Sequence, residues 1–443
     1  MKIQLSDHFT YGRLLKFTLP SIAMMIFTSI YGVVDGIFVS NFAGKIPFAA
    51  LNLIMPYLMA FGVLGFMVGT GGTALISISM GMGDHKKAND LFSLLTYVSI
   101  LGGVALTVLS MIFMRPAAIA LGAEGQILED AVTYGMIVQV ALTAYILQYA
   151  FQSFCVAAEK PNLSLGMMVT AGLCNIGLDA LFVAVFRWGL VGAAAATAIA
   201  QIIGALVPLI YFARPNSSLL RLGRCTVDWQ ALLRTCVNGS SELMSNLSMS
   251  LVSMLYNLQL IKYAGENGIA AYGVIMYVNF VFLAVFIGFV IGVAPIVGFN
   301  HGADNREELQ NVFRKSLVIL LGMSLAMTGS ALLLAKPLSG IFVGYDAELL
   351  ELTTRGFVIF SLSFLVCGFN LFGSSFFTAL NNGLVSAVIS FLRTLVCQIA
   401  AVMLLPLVLD VDGIWWSIVA AEAAAFAITV AFLVKLRKKY HYL

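Results

Sequence analysis

Charge is scarce in this chain: of its 443 residues only 10% are Asp, Glu, Lys or Arg, while 60% are hydrophobic. A soluble fold of this size cannot hide so much apolar surface, so a water-soluble domain is excluded and a protein of many membrane spans is implied. A mean hydropathy of +0.98 agrees. Histidine is scarcer still, with four in all at positions 8, 85, 301 and 441, each terminal or in a loop. That excludes an intramembrane Ser–His pair and an HExxH zinc site. No GKS or GKT phosphate-binding loop occurs, which argues against direct use of ATP. The six cysteines (155, 174, 225, 236, 367 and 397) show no paired spacing and mostly fall inside apolar segments. They read as packing residues, with neither disulfide nor metal site implied. The net charge of +3 comes from basic loops and carries no implication of nucleic acid. The first seventeen residues are too polar, and the apolar run after them too long, for a cleavable signal peptide.

What the chain does have is apolar runs of membrane length, about 20 residues each. They fall near 14–40, 47–80, 91–113, 128–157, 164–186, 190–212, 230–261, 269–299, 314–335, 349–379, 384–409 and 413–434. The expected fold is an all-α polytopic membrane protein of twelve spans. Of the 24 Lys and Arg residues, 17 fall on the side that carries both termini and six on the other. Both ends are therefore expected in the cytoplasm. An internal repeat organises the spans. Shifting the chain by 221 residues brings Ala43-Gly44 onto Ala264-Gly265, Gly71 onto Gly292, Gly81 onto Gly302, and Phe92 onto Phe313. Further on, Gly135 meets Gly356, Phe151 meets Phe372 and Ala158 meets Ala379, without gaps over roughly residues 29–163. Six spans lie within the offset, so the halves share one orientation and are related by a pseudo-two-fold axis along the membrane normal. Residues 1–213 form the first six-helix bundle, 214–229 a basic cytoplasmic linker, and 230–443 the second bundle.

Acids inside the membrane cost about 2.5–3.5 kcal/mol each, so each is a functional candidate. Asp35 lies about five residues, roughly 8 Å of rise, from the outer end of span 1. Asp179 sits at similar depth in span 5, and Asn175 projects from the same helical face four residues earlier. Span 6 adds Thr197 among small residues that allow close approach. Carboxylate, amide oxygen, carboxylate and hydroxyl make a hard oxygen set suited to Na+ or, without metal, to a shared proton. The alternative is a buried network that only fixes helix packing. Glu242, near the middle of span 7, is a candidate cavity acid. Glu422 in span 12 and Arg393 in span 11 are opposite charges in one bundle, open to a structural or a functional reading. Glu159 reads as interfacial, beside Lys160. Pro20 removes a helix hydrogen bond and is a candidate hinge, with a proline tolerated near a helix start as the alternative. Aromatic and methionine side chains suit promiscuous binding of apolar cations; Tyr31, Met55, Tyr57, Tyr145, Tyr149, Tyr256 and Met276 are the cavity candidates.

Several stretches together resemble the MATE (multidrug and toxic compound extrusion) family, most nearly its bacterial MepA/DinF-type members. They are LPSIAMMIFTSIYGVVDGIFVSNFAG in span 1, NIGLDALFVAVFRWGLVGAAAATAIAQ across spans 5 and 6, GFNHGADN, FFTALNNG and LDVDGIWWS. The resemblance implies two six-helix bundles around a central cavity, export of cationic or amphipathic compounds by alternating access, and coupling to Na+ or H+. It places an N-lobe cation site on Asp35, Asn175, Asp179 and Thr197. Sodium-coupled NorM-like members also use an acid in span 10, and this chain has none there after Glu351, which weakens a C-lobe coupling site. An intramembrane aspartyl protease is disfavoured because Gly81-Met82-Gly83-Asp84 lies at a span end before Lys86-Lys87. A lipid-linked precursor flippase is the alternative, though it wants a basic cavity and the intramembrane charge here is mainly acidic. The expectation is a non-enzymatic, monomeric antiporter of the bacterial cytoplasmic membrane, with no cofactor beyond its coupling ion.

Overall fold

The computed structural model describes residues 3–443, apart from the side chains at positions 33, 35, 36, 37, 40, 41 and 45. The first half is built from α1 (Tyr11–Phe38), α2 (Lys45–Gly81), α3 (His85–Ala120), α4 (Gly125–Gln139 and Leu142–Ala157), α5 (Pro161–Asp179) and α6 (Gly189–Ala213). Residues 214–228 then run back over the first bundle. There the Arg221 amide donates to Asn89 Oδ1 at 2.7 Å and the Tyr97 hydroxyl to the Gly223 carbonyl at 3.0 Å. The helical ladder Trp229–Gly302 is broken at Gly265, whose φ of 63° needs a residue without Cβ, and so divides into α7 (229–264) and α8 (266–302). The second half continues with α9 (Arg306–Val343), α10 (Ala347–Ser361 and Phe364–Ala379), α11 (Gly383–Phe391 extended to Leu404) and α12 (Pro406–Tyr440). Both α4 and α10 bend midway, by 57° and 48°. Among the described residues, nine helices are long and apolar enough to cross a membrane, the two bent pairs add one span each, and the Gly265 break divides one, giving twelve. Pro20 lies inside α1, and the helix runs on through it.

The repeat is visible in the backbone itself. Asp84 and Asn305, 221 apart, cap α3 and α9 by accepting from the amides of Lys87 and Glu308. From α4 onward the offset becomes 222: Glu124 and Asp346 precede α4 and α10, while Pro161 and Gly383 open α5 and α11. Glu159 and Asn381 even share the left-handed conformation, with φ of 58° and 59°. The second half therefore carries one extra residue between the starts of α9 and α10. The sequence coincidences at 135/356, 151/372 and 158/379 are consequently one residue out of structural register. The offset returns to 221 at Gly189 and Asp410, with φ of 57° and 50°.

Each lobe is anchored by rings at repeated positions, with Phe92 against Phe154 at 5.6 Å and Phe313 against Phe376 at 4.9 Å. The lobes meet at the helix ends that carry the basic loops. A Cβ on Gly81 would stand 2.0 Å from the Phe299 carbonyl oxygen, and one on Gly302 would stand 2.1 Å from that of Ile78. Residues 78, 81, 299 and 302 map onto each other under the repeat, so this contact is its own mirror image. The amino-terminal segment straps the lobes together on the same side. The Leu5 amide donates to Glu159 Oε1 and the Phe9 amide to Glu308 Oε1, each at 2.8 Å.

Candidate functional site

The N-lobe site is assembled where α5 and α6 approach most closely. Small residues on α6 permit this: a Cβ on Gly192 would stand 3.0 Å from the Phe182 carbonyl oxygen, and Ala193, Ala194 and Ala196 are buried. Asn175 and Asp179, one turn apart on α5, are 2% and 0% exposed. Directly after Asp179 the helix widens into a π turn over Ala180–Val185, a distortion that recurs where helices carry function. Asp35 belongs to α1, and its side chain lies outside the described residues.

Below these residues opens a cavity of ≈ 430 Å³ whose wall includes Asn175, Thr197, Tyr31, Met55, Tyr145 and Tyr149. Gln139, Gln148, Gln201, Tyr134, Thr28 and Ser29 add further polar groups to its lining. Some helical threonines here turn the hydroxyl back to a carbonyl four residues earlier, as Thr28, Thr96 and Thr353 do. Thr197 does not; its buried Oγ1, the Asn175 Nδ2, the Gln201 Oε1 and the Gln139 Nε2 have no hydrogen-bond partner among the described residues. Leaving four such atoms dry and unpaired would cost about 1–3 kcal/mol each. Water or a ligand in this space would satisfy them. Tyr145 and Tyr149 meet edge to face at 4.7 Å, and Tyr145 reaches its place because a Cβ on Gly62 would lie 1.7 Å from its ring.

Three sequence candidates point elsewhere. The Tyr57 hydroxyl donates to the Ser110 carbonyl at 2.7 Å, which turns the ring toward α3 rather than into this cavity. Tyr256 is buried in the C-lobe, stacked on Tyr272 at 5.1 Å and donating to Gln398 Oε1 at 3.0 Å. Met276 packs against the C-lobe core. Glu242 is half-buried on α7, within Coulombic reach of Arg393. The glutamines at 139, 148 and 201 are neither charged nor aromatic, the two features that mark most of the candidates named from the sequence. An uncharged amide inside an apolar run is the signal that would have found them.

The C-lobe holds its own charges in a closed pair. Arg393 Nη2 donates to Glu422 Oε1 at 2.8 Å, its Nε lies 2.9 and 3.0 Å from the two carboxylate oxygens, and Asn370 Nδ2 donates to Oε2 at 2.7 Å. Side-chain exposure is 13% for the arginine and 4% for the glutamate. Breaking such a pair from one side strands a buried charge, at about 3–5 kcal/mol. Glu422→Ala should lower the unfolding temperature in detergent by well over 5 °C, whereas the exposed pair Arg115–Glu129 should tolerate Glu129→Ala with little change.

A polytopic bundle of two quasi-equivalent six-helix lobes, with a largely apolar cavity in the first that also meets Tyr277 and Phe280 of the second, defines a membrane transporter. The MatE family model matches residues 20–181 and 243–404, one stretch in each lobe, and the chain belongs to the MATE family. It is a transporter and not an enzyme. Relatives include the multidrug export protein MepA of Staphylococcus aureus (strain NCTC 8325 / PS 47), 25% identical over 434 residues that cover 96% of this chain and 94% of the relative. MepA of Staphylococcus haemolyticus is 24% identical over 432 residues, covering 97% and 94%. Among solved structures, an outward-facing multidrug resistance MATE transporter of the MOP superfamily superposes with a TM-score of 0.91 at 21% identity, covering 97% of this chain and 98% of that one. A MOP superfamily transporter from Pyrococcus furiosus, described as having a binding pocket of reversed polarity, gives 0.91 at 20% identity, covering 98% and 97%.

Proposed function

We propose that the protein exports cationic or amphipathic organic compounds by alternating access, driven by inward movement of Na+ or H+ through the N-lobe. The observation that carries this reading is the set of orphaned polar atoms beside a buried carboxylate, in a cavity walled by tyrosines. Asp179, the Asn175 amide oxygen and the Thr197 hydroxyl would supply hard oxygen donors to Na+; with H+, the carboxyl would take the proton. Asp35 is assigned to the same set from the sequence. Occupancy changes the charge at the top of the cavity, and a change in charge biases the conformational equilibrium. No Lys or Arg lines the cavity among the described residues, which suits a cation and disfavours the pyrophosphate of a lipid-linked precursor. The relatives named as multidrug exporters support the same direction of transport. Both termini are placed in the cytoplasm, with the glycine-sealed face and the strap inward, and the unit is taken to be a monomer in the bacterial cytoplasmic membrane.

Tyrosine faces hold lipophilic cations with about 0.5–2 kcal/mol each. Tyr149→Ala should therefore weaken ethidium binding about 2- to 30-fold in a fluorescence titration of the purified protein. Tyr57→Phe should leave it unchanged. Equal effects of the two would place the cargo outside this cavity.

A further inference from the structure

The register of the repeat pairs the N-lobe cavity wall with the C-lobe ion pair. Gln148 on α4 corresponds to Asn370 on α10 at the offset of 222. Ala171 corresponds to Arg393 at the same offset, each ten residues after its helix start at Pro161 or Gly383. Gln201 on α6 corresponds to Glu422 on α12 at the offset of 221. In the N-lobe these positions are true neighbours: a Cβ on Gly204, one turn from Gln201, would stand 2.7 Å from the Gln148 amide and 3.1 Å from the Ala171 methyl. All three line the cavity. In the C-lobe the same three positions close on each other through the Arg393–Glu422–Asn370 contacts.

We propose that Arg393 is a tethered occupant of the C-lobe counterpart of the cargo cavity, a built-in cation that keeps external cations out of that lobe. The inference rests on the N-lobe cavity being the cargo site. An alanine methyl leaves room where an arginine side chain fills it, and Glu422 stands where Gln201 presents an unpaired carbonyl oxygen. The guanidinium binds this carboxylate through two of its nitrogens, as a cationic cargo would have to. Cation recognition is thereby confined to one lobe although both descend from one repeat. Removing the arginine alone exposes a carboxylate with an amide donor beside it, at the bottom of a newly emptied space. That is a site for a small or flat organic cation.

The test is equilibrium titration of the full-length protein in lipid nanodiscs with ethidium, using methylguanidinium as competitor. Wild type is expected to bind one equivalent that methylguanidinium does not displace. Arg393→Ala is expected to bind two, the second displaced by methylguanidinium and absent from Arg393→Ala/Glu422→Gln. Purifying Arg393→Ala with methylguanidinium present keeps a cation on Glu422 during folding, and ethidium is then titrated against it. A merely structural ion pair would lower stability and leave the stoichiometry at one, and that result overturns the proposal. The reciprocal variant Ala171→Arg/Gln201→Glu installs the plug in the N-lobe and should abolish the wild-type equivalent. If that equivalent survives, the N-lobe reading itself fails, a result distinct from an unchanged stoichiometry in Arg393→Ala.

Discussion

Asp179→Asn should abolish gradient-driven export while leaving the protein folded. The substitution keeps the shape and volume of a side chain that is 0% exposed, while it removes the charge and exchanges one acceptor oxygen for an amide donor. A charged hydrogen bond or a cation contact at such a depth is worth about 1.5–3 kcal/mol, which converts to about a 10- to 150-fold loss in coupling-ion affinity. Ethidium uptake into inverted vesicles should therefore fall to the rate seen without an ion gradient. Ethidium binding without a gradient should persist, because Asp179 lies above the aromatic part of the cavity rather than in it. Thr197→Val, which removes the hydroxyl that makes no back-bond, should weaken the dependence on Na+ if that is the ion, and matter less if it is H+. Export by Asp179→Asn at the wild-type rate would move the coupling acid to Glu242.

Gly81→Val should hold apart the ends of the lobes that carry the basic loops. Any Cβ at this position meets the Phe299 carbonyl oxygen at 2.0 Å and the Ala303 nitrogen at 2.8 Å. Both are backbone atoms that cannot rotate away, so either the helices separate or the contact is lost. Overpacking of this kind costs about 1–3 kcal/mol, which shifts the equilibrium between closed and open states of this face about 5- to 150-fold. A cysteine at the buried Ser77, in a background with the native cysteines replaced, should react correspondingly faster with a membrane-impermeant thiol reagent added from inside. Gly102→Ala, with nothing within 4 Å of the new methyl, should not change the rate. Equal labelling in both would mean that this pair does not govern closure.

Much of this organisation was legible from the chain. Twelve spans follow from apolar length alone, and the repeat from landmarks such as Gly81 and Gly302, whose reciprocal contact shows why glycine stands at both. The one-residue shift after α3 was not legible, because an apolar alphabet of few letters produces coincidences such as Phe151 with Phe372 at the wrong offset. Asp179 stood out because an acid in lipid is costly, and Asn175 because it shares its face. The glutamines at 139, 148 and 201 cost less to insert and announce themselves less. Tyr57 and Tyr256 were chosen by residue type, while direction decides whether a ring faces a cavity. That direction depends on the bends in α4 and α10 and on the π turns, which shift helix faces in a way that a uniform period cannot follow. Arg393 and Glu422 were visible as opposite charges in one bundle. Only the structural register of the repeat shows them standing in the place of a cavity.

The central claim is that an inward ion gradient drives organic cations out through the N-lobe. Its most direct test is ethidium transport in proteoliposomes of the purified wild-type protein, with Na+ and pH gradients imposed one at a time. The account predicts transport under one of the two gradients, none when both are dissipated, and none in Asp179→Asn under either. Transport that proceeds equally with and without a gradient, or that follows the gradient unchanged in Asp179→Asn, would contradict it.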